Sequence, residues 1–217
     1  MKKQIILFML MLPLMAGAQK LKSTGASVED IVPKGWTHTE HTGDLNKDGI
    51  KDLVIIATPD FKENTKTRDD GYVYNFNKPV LAIYFGSQNG SFSCWKQYKE
   101  ILASPEHEFV SIDYTLNITD KGVLTIDLSY FYSAGSGSND SNKYVFRYQN
   151  GDFFLIGMDE QSQSRMSGEL VIHSYNYLTN KLQIVTDNVF EENFDKKEKW
   201  QRIPKKPLQK LGSFEME

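Results

Sequence analysis

Between positions 43 and 57 the chain reads Gly-Asp-Leu-Asn-Lys-Asp-Gly-Ile-Lys-Asp and runs straight into Leu-Val-Ile-Ile-Ala. Asp44, Asn46, Asp48 and Asp52 take the first, third, fifth and ninth places of one loop, and Gly49 takes the sixth. Alternate residues of a tight loop turn their side chains inward, and a glycine at the sixth place permits the sharp turn that lets the next carbonyl, that of Ile50, join them. A hard cation of the calcium type gathers about six to eight oxygens at roughly 2.3–2.6 Å, and this spacing supplies them. The expected metal is therefore Ca2+, held by Asp44, Asn46, Asp48, Ile50 and Asp52. An EF-hand loop closes with a bidentate Glu at its twelfth place; Ile55 stands there. The β-branched run after Asp52 reads as a buried strand and not as a helix.

Such a loop feeding directly into a strand resembles the calcium loop of FG-GAP and VCBS-type repeats. Those repeats continue with a second strand and a Gly-rich turn ending in Phe. Here Val80-Leu81-Ala82-Ile83-Tyr84-Phe85-Gly86 and Gln88-Asn89-Gly90-Ser91-Phe92 follow, so the likeness spans about 43–92. Pro33-Lys34-Gly35-Trp36, the Gly/Ser stretch at 134–142, Phe146 to Gly151, Phe154 to Gly157 and Asn176 to Thr179 extend it. Together they look like a family of exported bacterial proteins with a single FG-GAP-like repeat and no established activity. Asn142-Lys143-Tyr144 is a departure, standing where that family carries an aromatic and basic pair. The resemblance implies a β-rich exported protein and no enzyme class.

Residues 1–18 have the form of a signal peptide. Lys2 and Lys3 precede an apolar run, and Ala16-Gly17-Ala18 offers small residues for cleavage. The run is too short to span a bilayer, and no later stretch is long and apolar enough. The expected mature domain is 19–217, periplasmic or extracellular, and a monomer. Loss of the two lysines takes the formal charge from −3 to −5, which argues against a nucleic-acid partner. Cys94 is the only cysteine, so no intramolecular disulfide is possible, and a small buried hydrophobe is its expected role.

Tyr, Phe, Val, Ile and Thr dominate the apolar segments, which predicts an all-β or β-dominated domain of hairpins packed as a sandwich or open barrel. Ser27 caps one short helical turn that Pro33 ends, and Trp36 to Thr42 alternates as a half-exposed strand. His38 and His41 read as surface residues. The 59–78 segment is polar and loop-like, and its Tyr72, Tyr74 and Phe76 form a short strand or offer their rings to a ligand. Asn89-Gly90 predicts a hairpin turn with both residues at positive φ. Residues 98–107 form a weaker, helical candidate. Further hairpins are expected at 109–132, 143–157 and 170–188, and a solvated strand and charged tail at 190–217.

These features point to a calcium-stabilised binding module for a glycan or protein ligand. The contact surfaces would be the 60–78 and 133–142 loops, with Tyr130, Tyr132, Ser136 and Ser138 as candidate ligand contacts. Alternation sends Tyr130 and Tyr132 to one face and Phe131 to the other. If Phe131 turns inward, the two tyrosines are left beside a polar loop; the converse packs them into the core. The alternatives are a secreted hydrolase and a structural envelope protein. Asp113 and Asp127, across one hairpin, are the only carboxylate pair that suggests acid–base work, and no G-x-S-x-G occurs.

Overall fold

A computed structural model describes residues 20–217; the expected signal peptide lies outside them. The first half of the chain forms β1 (Thr24–Gly25), α1 (Val28–Ile31), β2 (Thr37–Gly43), β3 (Asp52–Thr58), β4 (Thr65–Thr67), β5 (Val73–Asn75), β6 (Val80–Gly86) and β7 (Phe92–Tyr98). One antiparallel sheet has the order β1-β7-β6-β3-β2, and β4-β5 is a separate small hairpin inserted between β3 and β6. The continuous apolar runs of β3 and β6 arise because this sheet is covered on both faces. Leu53, Ile55, Ala82 and Tyr84 face a layer made by Leu21, Ile31, Val32 and Trp36. Val54, Ile56, Leu81 and Ile83 face the second sheet. Each Leu, Ile or Val among them contributes about 1.5–3 kcal/mol when fully buried, so these two strands carry much of the stability. Ser27 caps α1, its Oγ accepting the Asp30 N–H at 3.3 Å.

The second sheet is a meander of β8 (Val110–Ile118), β9 (Val123–Tyr132), β10 (Ser138–Gln149), β11 (Asp152–Ser164), β12 (Glu169–Asn176), β13 (Lys181–Asn188) and β14 (Lys197–Arg202). Its strand order is the sequence order, and every pairing is antiparallel. Leu116, Ile118, Leu124, Ile126, Leu128, Phe146 and Phe153 meet the first sheet, which makes the fold an all-β sandwich.

Several local expectations are corrected. The segment 98–107 is not helical: Met216 N–H donates to Ile101 O at 2.6 Å and Ala103 N–H to Met216 O at 2.9 Å, so its backbone groups are committed to the chain's last residues. Those residues are not a solvated tail, since Leu211 and Met216 are fully buried. β10 starts at Ser138 and not at Lys143, because a polar strand can pair on both sides with β9 and β11 whatever its side chains. The repeated Asn-Gly makes two different turns. Asn150 and Gly151 both have positive φ, 52° and 77°, but at Asn89-Gly90 only the glycine does. There Asn89 Oδ1 accepts the Ser91 N–H at 3.0 Å and the Ser87 hydroxyl at 2.6 Å, a side-chain turn that replaces the tight two-residue form.

Candidate functional site

The loop joining β2 to β3 is shaped by its own acidic and amide groups. Asp44 accepts the Asp48 N–H at 3.2 Å and the Gly49 N–H at 3.0 Å, one on each carboxylate oxygen. Asn46 Oδ1 accepts the Asp48 N–H at 3.0 Å, and Asp48 Oδ1 accepts the Ile50 N–H at 2.8 Å. Asn46 Nδ2 also donates to Asp48 Oδ2 at 3.0 Å. Lys47 at φ 64° and Gly49 at φ 84° provide the turn. The first-, third- and fifth-place side chains thus turn into the loop and present only oxygen acceptors and one amide. An oxygen that accepts one N–H keeps a second lone pair, so this donor set suits a hard cation. Among the described residues no three His, Cys, Asp or Glu side chains are gathered closely enough to hold a metal ion.

Asp52 has different partners. It is fully buried, and Oδ2 accepts the N–H groups of Leu45 at 2.8 Å and Asn46 at 3.3 Å while Oδ1 accepts that of Gly86 at 3.0 Å. Burial pushes its carboxyl above the ordinary carboxylate range against the pull of these three donors. The ninth-place residue therefore ties the start of the loop to the end of β6. Two glycines allow the close approach. A Cβ on Gly86 would lie 2.1 Å from the Lys51 carbonyl oxygen, and one on Gly122 would lie 2.6 Å from that of Asp44. The loop is accordingly clasped between the first sheet and the β8–β9 turn of the second.

The second site is a cavity of about 600 Å³ formed where the 101–107 segment and the chain's last residues close over β8, β9 and β10. Leu102, Val110 and Ile112 supply apolar lining, and Tyr130 and Tyr132 lie along one wall with their rings stacked, centroids 6.5 Å apart at 15°. Phe131 does not turn inward: it is 55 % exposed and Tyr130 packs on the central core, so the tyrosine face is the inward one, and the two rings meet the cavity where that face runs out from the core. Burial holds the Tyr130 phenol well above its ordinary pKa, and its hydroxyl has no hydrogen-bond partner among the described residues. Asp140 and Asn142, within the 133–142 segment expected as a contact surface, also line the cavity, as does Glu215, which sequence reasoning missed because it arrives only through the buried tail. The apolar alternation of Phe214 and Met216 was the available signal.

Ser136 and Ser138 do not line this cavity. Their hydroxyls lie 3.0 Å apart, and Ser138 Oγ donates to Asp140 at 2.8 Å, as Ser162 Oγ does at 2.6 Å. Arg165 donates to the carbonyls of Tyr132, at 2.9 Å, and Ser136, so the Gly/Ser loop is tied to the end of β11. The serines thus orient Asp140, and Asp140 reaches the cavity.

On the opposite face of β8 and β9, Phe109, Phe131 and Tyr72 are each about half exposed and surround a shallow depression with Tyr74. Arg68 is held by Asp70 and Tyr74 and lies over the Tyr72 ring, while Lys66 pairs with Glu108. The charges of this ledge are therefore compensated internally. Asp113 and Asp127 do not form an isolated carboxylate pair: Asp113 is opposite Ser129, and Asp127 meets Lys143 at 3.3 Å. His38 lies beside Glu40 at 3.5 Å, and His41 Nδ1 accepts the Ile118 N–H at 3.3 Å. Among the described residues no helix is long and apolar enough to cross a membrane. No protein-family model, curated protein or solved structure matches the chain.

Proposed function

We propose that this protein is an exported β-sandwich module, stabilised by calcium at the 44–52 loop, that binds a glycan in the cavity walled by Tyr130 and Tyr132. The observation that carries this reading is the pair of parallel tyrosine rings beside Asp140 and Asn142 in one concave site. A pyranose ring has an apolar C–H face and a rim of hydroxyls. Aromatic rings take the first, and carboxylate and amide groups take the second. The cavity volume falls within the ordinary range for small-ligand sites, about 300–1,000 Å³. The Arg165 bonds and the serine chain hold the adjoining loop in place, which lowers the ordering cost of binding.

Asp44, Asn46 and Asp48 would hold the calcium ion, with the Ile50 carbonyl at the seventh place. The ion would neutralise two carboxylates only four residues apart and stiffen the junction between the sheets. Its role in this reading is structural. An array of glycans probed with protein beginning at residue 19, in calcium and in chelator, tests both parts. Binding that requires calcium, and that Tyr130→Ala with Tyr132→Ala removes without loss of the calcium-dependent melting shift, is the expected result. Calcium at about 100 times its dissociation constant should stabilise the fold by about 2.7 kcal/mol. Asp44→Ala and Asp48→Ala should abolish that increment. Equal melting in calcium and chelator for wild type and variants would remove the ion from the account.

A protein ligand is the second reading, and the ledge of Tyr72, Phe109 and Phe131 favours it. Clustered exposed aromatic rings with neutralised neighbours are characteristic of protein contact surfaces.

A further inference from the structure

Resting on the glycan reading of the Tyr130–Tyr132 cavity, we infer that its ligand carries a free amine: the site selects a cationic amino sugar over its neutral N-acetylated counterpart. Four acidic side chains line this cavity, Glu106, Asp140, Glu215 and Glu217. Lys78 also lines it, but its Nζ donates to Glu100 at 2.8 Å. His107 turns Nδ1 to the Phe109 N–H at 3.2 Å. The carboxylates thus outnumber the available cations, in contrast with the ledge on the other face, where each charge has its partner.

The acids and the apolar groups are also segregated. Glu106, Glu215 and Glu217 are exposed at the mouth, Asp140 is half-buried, and Leu102 is fully buried. A ligand that lays a C–H face on the tyrosines therefore has carboxylates among the groups that line the same cavity. An ammonium on that ligand is attracted by the carboxylates and by the electron-rich faces of the two phenols. A neutral acetamide forfeits both contributions, and an anionic sugar is repelled.

The test compares oligomers of glucosamine and of N-acetylglucosamine of equal length, one carrying free ammonium groups and the other neutral acetamides, by titration calorimetry in calcium. The glucosamine oligomer should bind roughly tenfold tighter at low salt, and the difference should shrink as salt rises. Glu106→Gln with Glu215→Gln changes two exposed side chains that make no contact needed for folding, and an unchanged melting temperature checks this. The double variant should bring the two oligomers to nearly equal affinity. Equal affinities in the wild type, or a preference that survives the double variant, would overturn the inference and leave the glycan reading standing. If neither oligomer binds, the inference fails, and the array decides the glycan reading separately. Spermidine binding in place of the sugar would support cation selection and count against the glycan.

Discussion

Replacing Asp52 by Ala isolates the tie between the loop and the first sheet. The carboxylate is fully buried and accepts three backbone N–H groups, two at 2.8 and 3.0 Å and one longer at 3.3 Å. Alanine leaves those donors without their acceptor, the Leu45 N–H in a buried position and those of Asn46 and Gly86 in part-buried ones. Each buried donor left unsatisfied costs about 1–3 kcal/mol, and the longest bond contributes least, so a loss of about 3–5 kcal/mol follows. In a domain of this size that corresponds to a fall in Tm on the order of 10 °C. Asp52→Asn keeps one acceptor oxygen but points an amide N–H at the remaining donors, and should cost about half as much. The measurement is thermal and urea unfolding in chelator, where any contribution from calcium is absent. The decisive comparison is with Asp48→Ala, whose side chain is exposed and whose bonds stay within the loop. In chelator Asp48→Ala should cost far less than Asp52→Ala, whereas in calcium Asp48→Ala should in addition lose the ion's increment. If Asp52→Ala melts with the wild type in chelator, the carboxylate is not a structural tie, and the argument from its three hydrogen bonds is refuted.

Three other perturbations test the surrounding packing. Gly86→Ala would set a Cβ 2.1 Å from a backbone oxygen that cannot swing aside, so it should destabilise by about 2–4 kcal/mol; a change within about 0.5 kcal/mol would show that β6 shifts freely. Met216→Ala should cost about 2–5 kcal/mol by urea denaturation, since the side chain is fully buried, and a solvated tail would register almost nothing. Cys94 is half-buried, and burial holds its thiol above the ordinary pKa, with a weaker opposing effect from Gln97. It should therefore react with iodoacetamide at neutral pH far more slowly in the native protein than after denaturation, and labelling at the rate of a free thiol would contradict its burial.

Local chemistry was sufficient to read most of the strands. The run from Leu53 to Ala57, the alternation of β8 and β9, and the turns at Asn150-Gly151 and Asn180 each follow from neighbours within a few residues, so they were legible before any fold was known. The calcium-type loop was legible as a spacing for the same reason. The division of labour inside it was not: Asp48 and Asp52 are the same residue type, and Asp52 turns away to the Leu45 and Asn46 N–H groups and to that of Gly86, which arrives from β6 34 positions later. The cavity was beyond sequence reading on the same grounds. Tyr130 and Tyr132 could be placed on one face by alternation, but which face met the core depended on how the second sheet lies on the first. Its acidic mouth depended on Met216 pairing with Ile101 across more than a hundred residues. Periodicity reports which side chains share a side of a strand; it carries no information about which distant segment will satisfy the backbone groups at a sheet's edge. That choice is made by the global packing, and here it decided where the site lies.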